Sequence, residues 1–152
     1  MPSAGGSELT RDRITPAQRS ENMRSIRSRN TQPELLLRRE LWRRGLRYRL
    51  GRRVHGTRPD LIFTRAKLAV FVDGCFWHGC PTHYRPPAGN AGYWRSKIEG
   101  NRARDARNND ALAESGWRAL RLWECEVKRD PSLAADVVAA AFTAQRAEVR
   151  TC

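Results

Sequence analysis

Apolar positions along this chain fall into two kinds of pattern. From Asp60 to Thr64 and from Leu68 to Asp73 they are nearly continuous, with Arg65, Ala66 and Lys67 between the two runs. That pattern predicts a strand, a tight turn and a second strand, the latter apolar enough to be buried on both faces. Trp117–Trp123 reads as another strand, and Leu46–Leu50, alternating with Arg47 and Arg49, as a short one. The remaining signals are helical. Residues 16–28 predict a polar, basic helix with Met23 and Ile26 three apart on one side. Thr31-Gln32-Pro33-Glu34 has the form of a capping box, with Thr31 as N-cap and Pro33 in the first turn. It opens a helix expected to bury Leu35, Leu36, Leu41 and Trp42 and to stop before Gly45. Residues 92–115 predict a long charged helix with Tyr93, Trp94, Ile98, Ala106 and Leu112 inward, closed by Gly116. Asp130-Pro131 caps a final Ala-rich helix to about residue 148. This order of elements implies an α/β fold, a mixed sheet with helices on both faces.

Length and charge narrow the class. The 152 residues suit one domain over residues 15–150, behind a Gly/Ser-rich tail (1–14) expected to be disordered. Formal net charge is +13, and the segment Arg11–Arg58 holds 15 Arg, no Lys and four acids, so it alone contributes +11. Arginine engages phosphate in a planar, bidentate way, so this distribution points to nucleic acid; a solvated basic surface is the plainer alternative. No run approaches the roughly 18 apolar residues that span a membrane. MPSAGGSELT has no apolar core of a signal peptide, so the cytoplasm is the expected compartment. Disulfides are not expected there. Cys152 ends the chain as a free thiol, which leaves Cys75, Cys80 and Cys125 to account for.

The candidate chemistry lies between Pro59 and His83, with Cys125 and Asp105 outside. Cys75, Cys80, His83 and Cys125 offer three thiolates and an imidazole, a set suited to tetrahedral zinc; four protein ligands would make it structural. The alternative is buried free cysteines beside a surface histidine. Asp60 opens one strand and Asp73 ends its neighbour, so a hairpin brings the two acids together, and such a pair suits Mg²⁺. Glu34 either completes the capping box or also reaches that metal site. His78 is placed for proton transfer, or else is an alternative zinc ligand. Asp105 either orients His78 or pairs with a helix arginine. Phe76 and Trp77 either pack the loop or act as a wedge into a base stack.

The motifs RSENMRSI (19–26), Arg58-Pro59-Asp60, FVDGCFWHGCP (71–81), Tyr93-Trp94, Lys97-Ile98, Asn101, Arg104-Asp105 and GWR…WEC resemble the very short patch repair (Vsr) endonucleases over about residues 18–127. The resemblance implies a restriction-endonuclease-like core and a Mg²⁺-dependent nick in double-stranded DNA, 5′ of the thymine in a T:G mismatch left by 5-methylcytosine deamination. It also implies a working link to a cytosine-5 DNA methyltransferase, and one nicked strand suits a monomer. By the same resemblance Asp60 binds the catalytic metals, helped by the backbone carbonyl of Val72, and two Mg²⁺ ions are expected to clamp the scissile phosphate. His78 transfers a proton with support from Asp105, and Glu34 completes the site. Phe76 and Trp77 intercalate, met from the minor groove by the segment holding Met23 and Ile26. Two departures stand out. Gly79-Cys80 replaces a His-rich run, and Asp73 stands where some relatives carry histidine, leaving open whether Asp73 binds metal or moves a proton. The rivals are a restriction-type or general Mg²⁺-dependent nuclease of the same fold, and a non-catalytic zinc-stapled DNA-binding module.

Overall fold

The computed structural model describes Thr15, Ala17, residues 30–85 and residues 87–151. Met23, Ile26, Cys152 and the helix expected over 16–28 lie outside them. The elements run α1 (Gln32–Arg43), β1 (Leu61–Phe63), a 3₁₀ turn (Thr64–Ala66), β2 (Leu68–Asp73), α2 (Cys75–His78), α3 (Ala91–Glu114), β3 (Arg118–Trp123), α4 (Glu124–Arg129) and α5 (Pro131–Thr151). The sheet order is β1-β2-β3. β1 pairs antiparallel with β2, Leu61 opposite Val70, across a turn in which Lys67 adopts φ +49°. β2 and β3 are parallel, Phe71 opposite Arg121 and Asp73 opposite Trp123. Parallel strands need a long crossover, and here the crossover carries α2, the Cys/His segment and α3.

Strand alternation sorts the side chains. Leu68, Val70 and Leu122 join Leu61, Phe63, Leu37, Leu41, Val127 and Val138 in the main core, beneath α1, α4 and α5. Ala69 and Phe71 face the other way and pack with Leu112 of α3, alongside Ala119 and Trp117. Helices thus cover both faces, as the pattern implied. The same alternation carries Asp73 and Arg121 to the α3 side. Trp94, Ile98, Asn101 and Leu112 are buried on α3 at helical spacing, and Asp105 falls on the same stripe.

Several expectations need correcting. α1 buries Pro33, Glu34, Leu37 and Leu41, whereas Leu35 is exposed and Trp42 is 54% exposed. The main core meets this helix along the 34–37–41 stripe, and full burial of each leucine contributes about 2 kcal/mol. Leu46–Leu50 does not form a strand; one bridge, Arg49 to Ile62, is all that pairs it. On α3, Tyr93 and Ala106 face solvent. The capping box is rearranged: Thr31 caps no backbone group. Instead its hydroxyl donates to Glu34 Oε1 (3.2 Å), and the Asn30 N–H donates to Glu34 Oε2 (3.0 Å). Cys75–His78 is a helical turn rather than loop, and Cys125 lies within α4. No helix among the described residues is long and apolar enough to cross a membrane.

Candidate active site and metal centre

Cys75, Cys80, His83 and Cys125 converge, each offering one ligand atom within 4.8 Å of the others. Cys80 Sγ lies 3.8 Å from Cys125 Sγ and 3.8 Å from His83 Nδ1. A tetrahedron with zinc–sulfur bonds of about 2.3 Å has edges of about 3.8 Å, so the donor set and spacing fit zinc. The fold builds this cluster by bringing two helix starts together: the Cys75 N–H donates to Glu124 Oε1 (3.1 Å), which sets the beginning of α2 against that of α4. Burial pushes the Cys75 thiol up to about 12. Burial also works against ionising Cys80, but hydrogen bonds from His83 and the backbone at Thr82 and His83 outweigh it and bring that thiol to about 6. The staple therefore already contains one easily formed thiolate.

The segment between the thiols is clamped from α3. Asn101 Nδ2 donates to the Trp77 carbonyl (2.8 Å), while Arg102 donates to the carbonyls of His78 (3.2 Å) and Gly79 (2.6 Å). Gly79 sits at φ +66°, and a Cβ there would meet Arg102 Nη2 at 2.8 Å and Ile98 Cγ2 at 3.0 Å. Glycine avoids both the left-handed backbone strain and the contact with Ile98. Phe76 and Trp77 are half-buried in an aromatic cluster: Phe76 lies 5.2 Å from Trp77, 5.2 Å from Trp94 and 6.0 Å from Tyr84.

At the His78 end of α2, the acids gather around a cleft of about 460 Å³ whose walls include Asp60, Val72, Asp73, His78, Asp105 and Arg121, with Arg53, Arg58 and Arg104 at hand. His78 Nδ1 lies 2.5 Å from Asp105 Oδ2, and Nε2 is 3.9 Å from Asp73 Oδ1. Asp105 thus orients the ring, and the alternative of His78 as a zinc ligand falls away. Asp60 Oδ2 accepts from the Val72 N–H (2.7 Å). Burial pushes the Asp60 carboxyl up to about 7, aided by the nearby Glu34 and Asp73 carboxyls and opposed by the Val72 hydrogen bond. Burial also raises Asp73, against the pull of His78 and Arg121. Glu34 is 4% exposed and takes a hydrogen bond from Arg38 (2.9 Å). It lines a second cleft of about 500 Å³ that shares Arg58 and Asp60 with the first. A larger groove of about 880 Å³, bordered by Trp42, Arg47 and Arg146, contains none of these acids. Crowded carboxylates of this kind are what a hard divalent ion relieves, so Asp60 with its neighbours fits Mg²⁺.

Cys75, Cys80, His83 and Cys125 thus form one cluster and Asp60, Asp73, His78 and Asp105 line one cleft, while Glu34 lines the adjoining cleft and Phe76 and Trp77 pack in an aromatic cluster. Arg121, Arg102 and Glu124 were not legible as site residues. Arg121 had a signal, since it is a charged residue between the apolar positions Leu120 and Leu122 of its strand.

A family model described as DNA mismatch endonuclease Vsr matches residues 11–83, which hold Glu34, Asp60, Asp73, Phe76, Trp77, His78 and three of the four metal-cluster residues. The Type II nicking enzyme V.NaeI of Lentzea aerocolonigenes is 47% identical over 120 residues, covering 75% of this chain and 72% of the relative. The Type II nicking enzyme V.XorIIP of Xanthomonas oryzae is 44% identical over 117 residues, 76% of this chain and 86% of the relative. The DNA mismatch endonuclease Vsr of Escherichia coli is 37% identical over 113 residues, 74% of this chain and 72% of the relative. With this identity along three quarters of its length, the chain belongs to the Vsr family of DNA endonucleases.

Proposed function

We propose that this chain is a Mg²⁺-dependent endonuclease that nicks one strand of double-stranded DNA, 5′ of the thymine in a T:G mismatch. The observation that carries the reading is the convergence of Asp60, Asp73, His78 and Asp105 on one cleft flanked by arginines, in a chain similar to named nicking and mismatch endonucleases. The three-stranded mixed sheet, with acids at adjacent strand ends, suits a restriction-endonuclease-like core.

Asp60, helped by the Val72 carbonyl, would hold two magnesium ions, with Glu34 reaching the site through water. When bound, magnesium supplies Lewis acidity toward the phosphodiester and lowers the pKa of water. His78 moves a proton at Nε2 while Asp105 holds Nδ1 and fixes the tautomer. Arg53, Arg58 and Arg104 neutralise phosphates beside the cut, which makes binding fall steeply with salt. Cys75, Cys80, His83 and Cys125 hold a structural zinc; with four protein ligands it has no open position for chemistry. The staple and the α3 clamp present Phe76 and Trp77 as a wedge beside the mismatch, and Met23 and Ile26 enter from the minor groove. Unstacking costs a few kcal/mol per step, least at a mismatch, so the wedge itself discriminates. The enzyme acts as a cytoplasmic monomer, alongside a cytosine-5 methyltransferase whose product deaminates to the T:G substrate.

Strand-labelled T:G and T:A duplexes incubated with the protein and Mg²⁺ test the reading. A nick confined to the thymine strand of T:G is expected. Equal cutting of both duplexes would indicate a general nuclease, and binding without cutting a DNA-binding module.

A further inference from the structure

Asp73, His78 and Asp105 have the composition of a cation site, with one imidazole nitrogen and two carboxylate oxygens within 4.8 Å of one another. A protein cation is already seated against them. Arg121 Nη1 reaches from β3 to within 3.0 and 3.4 Å of the two Asp73 oxygens and 3.5 Å of Asp105 Oδ1. Three constraints fix it there. Its strand register sets it opposite Phe71, its guanidinium stacks 4.1 Å from the Phe71 ring centroid, and its Nε donates to Asn109 Oδ1 (2.9 Å). A guanidinium keeps its charge at any working pH. It occupies the Asp73 oxygens that a metal ion would need and repels a second positive charge at that distance.

We propose that Arg121 is a resident cation that withholds Asp73 from divalent ions. Metal binding is thereby confined to the Asp60 side of the cleft, and Asp73 is left facing His78 Nε2. Arg121 is a positioning residue in this role. The inference rests on the reading of the cleft as a divalent-metal nuclease site, but its test does not use cutting.

The full-length, zinc-loaded protein without DNA is titrated with Mn²⁺, and bound ions per chain are followed by loss of the free-ion paramagnetic resonance signal. Asp73→Asn should bind as many ions as the unaltered protein, with affinity within about tenfold, because no ligand has been removed. Arg121→Gln should gain an ion per chain, or bind about tenfold more tightly, because Asp73 and Asp105 are released. Arg121→Lys, which keeps the charge, should not show the gain, and adding Asp73→Asn to Arg121→Gln should abolish it. A folded Arg121→Gln protein with unchanged Mn²⁺ binding would overturn the proposal, as would an Asp73→Asn protein that loses an ion. If Arg121→Gln fails to fold, the Asp73→Asn comparison decides alone. Nicking of T:G duplex is scored separately, so a protein with this ion pattern but no cutting would keep the Arg121 assignment and lose the nuclease reading.

Discussion

The thiol cluster and the carboxylate cluster share one short helix, which Cys75 opens and His78 closes, yet they are stabilised differently. The carboxylate side carries its own compensation: Arg121 on Asp73, His78 on Asp105, Arg38 on Glu34 and the Val72 N–H on Asp60. The thiol side is a ring of donors whose spacing matches a tetrahedron around one ion. The contrast teaches that a metal at the thiol cluster and a metal at the carboxylate cleft would do different work. Losing zinc should dismantle structure, whereas losing magnesium should silence chemistry in a protein that stays folded.

The largest expected effect is therefore on the thiol side. Cys80→Ser, or chelation of the native protein, should release the zinc and destabilise the fold by roughly 5 kcal/mol or more; metal analysis paired with thermal melts reads both. Next is the clamp between the clusters. Gly79→Ala must adopt φ +66° and displace Arg102 and Ile98, which should cost about 1–3 kcal/mol in denaturant melts.

A smaller effect of opposite sign is expected on the carboxylate side. The folded-state pKa of Asp60 is raised to about 7. Between the unfolded value near 4 and about 7, the native state holds a proton that the unfolded chain has released. Stability therefore falls as pH rises through that window in the magnesium-free protein. Asp60→Asn removes the penalty, so at pH 8 it should melt above the unaltered protein, by about 1–2 kcal/mol, and lose that advantage near pH 4. A linkage effect accompanies it. A proton competes with the cation at Asp60, so Mn²⁺ affinity should rise by about tenfold per pH unit up to 7 and then flatten.

Much of this arrangement was legible in the chain. Continuous apolar runs identified β1 and β2, and the acids at their ends marked the side of the cleft before any pairing was known. Cys75, Cys80, His83 and Cys125 could be grouped by ligand chemistry alone. What stayed hidden was non-local. Which stripe of α1 is buried depends on the core it meets, so Leu35 and Trp42 were misassigned. Leu46–Leu50 has a strand's alternation but only one pairing contact, at Arg49. Arg121 acquires meaning only from parallel pairing across a crossover of more than forty residues, which sets it over Phe71 and against Asp73. Asn101 and Arg102 likewise act on backbone carbonyls, which leave no mark in sequence.

The central claim is that the cleft beside the zinc staple is where the strand is cut. Single-turnover nicking of a T:G duplex by Asp60→Ala, with zinc content and duplex binding measured on the same preparation, tests it most directly. Full zinc, near-normal binding and a rate reduced by about 10³-fold or more are expected. Nicking within about tenfold of the unaltered protein would contradict it.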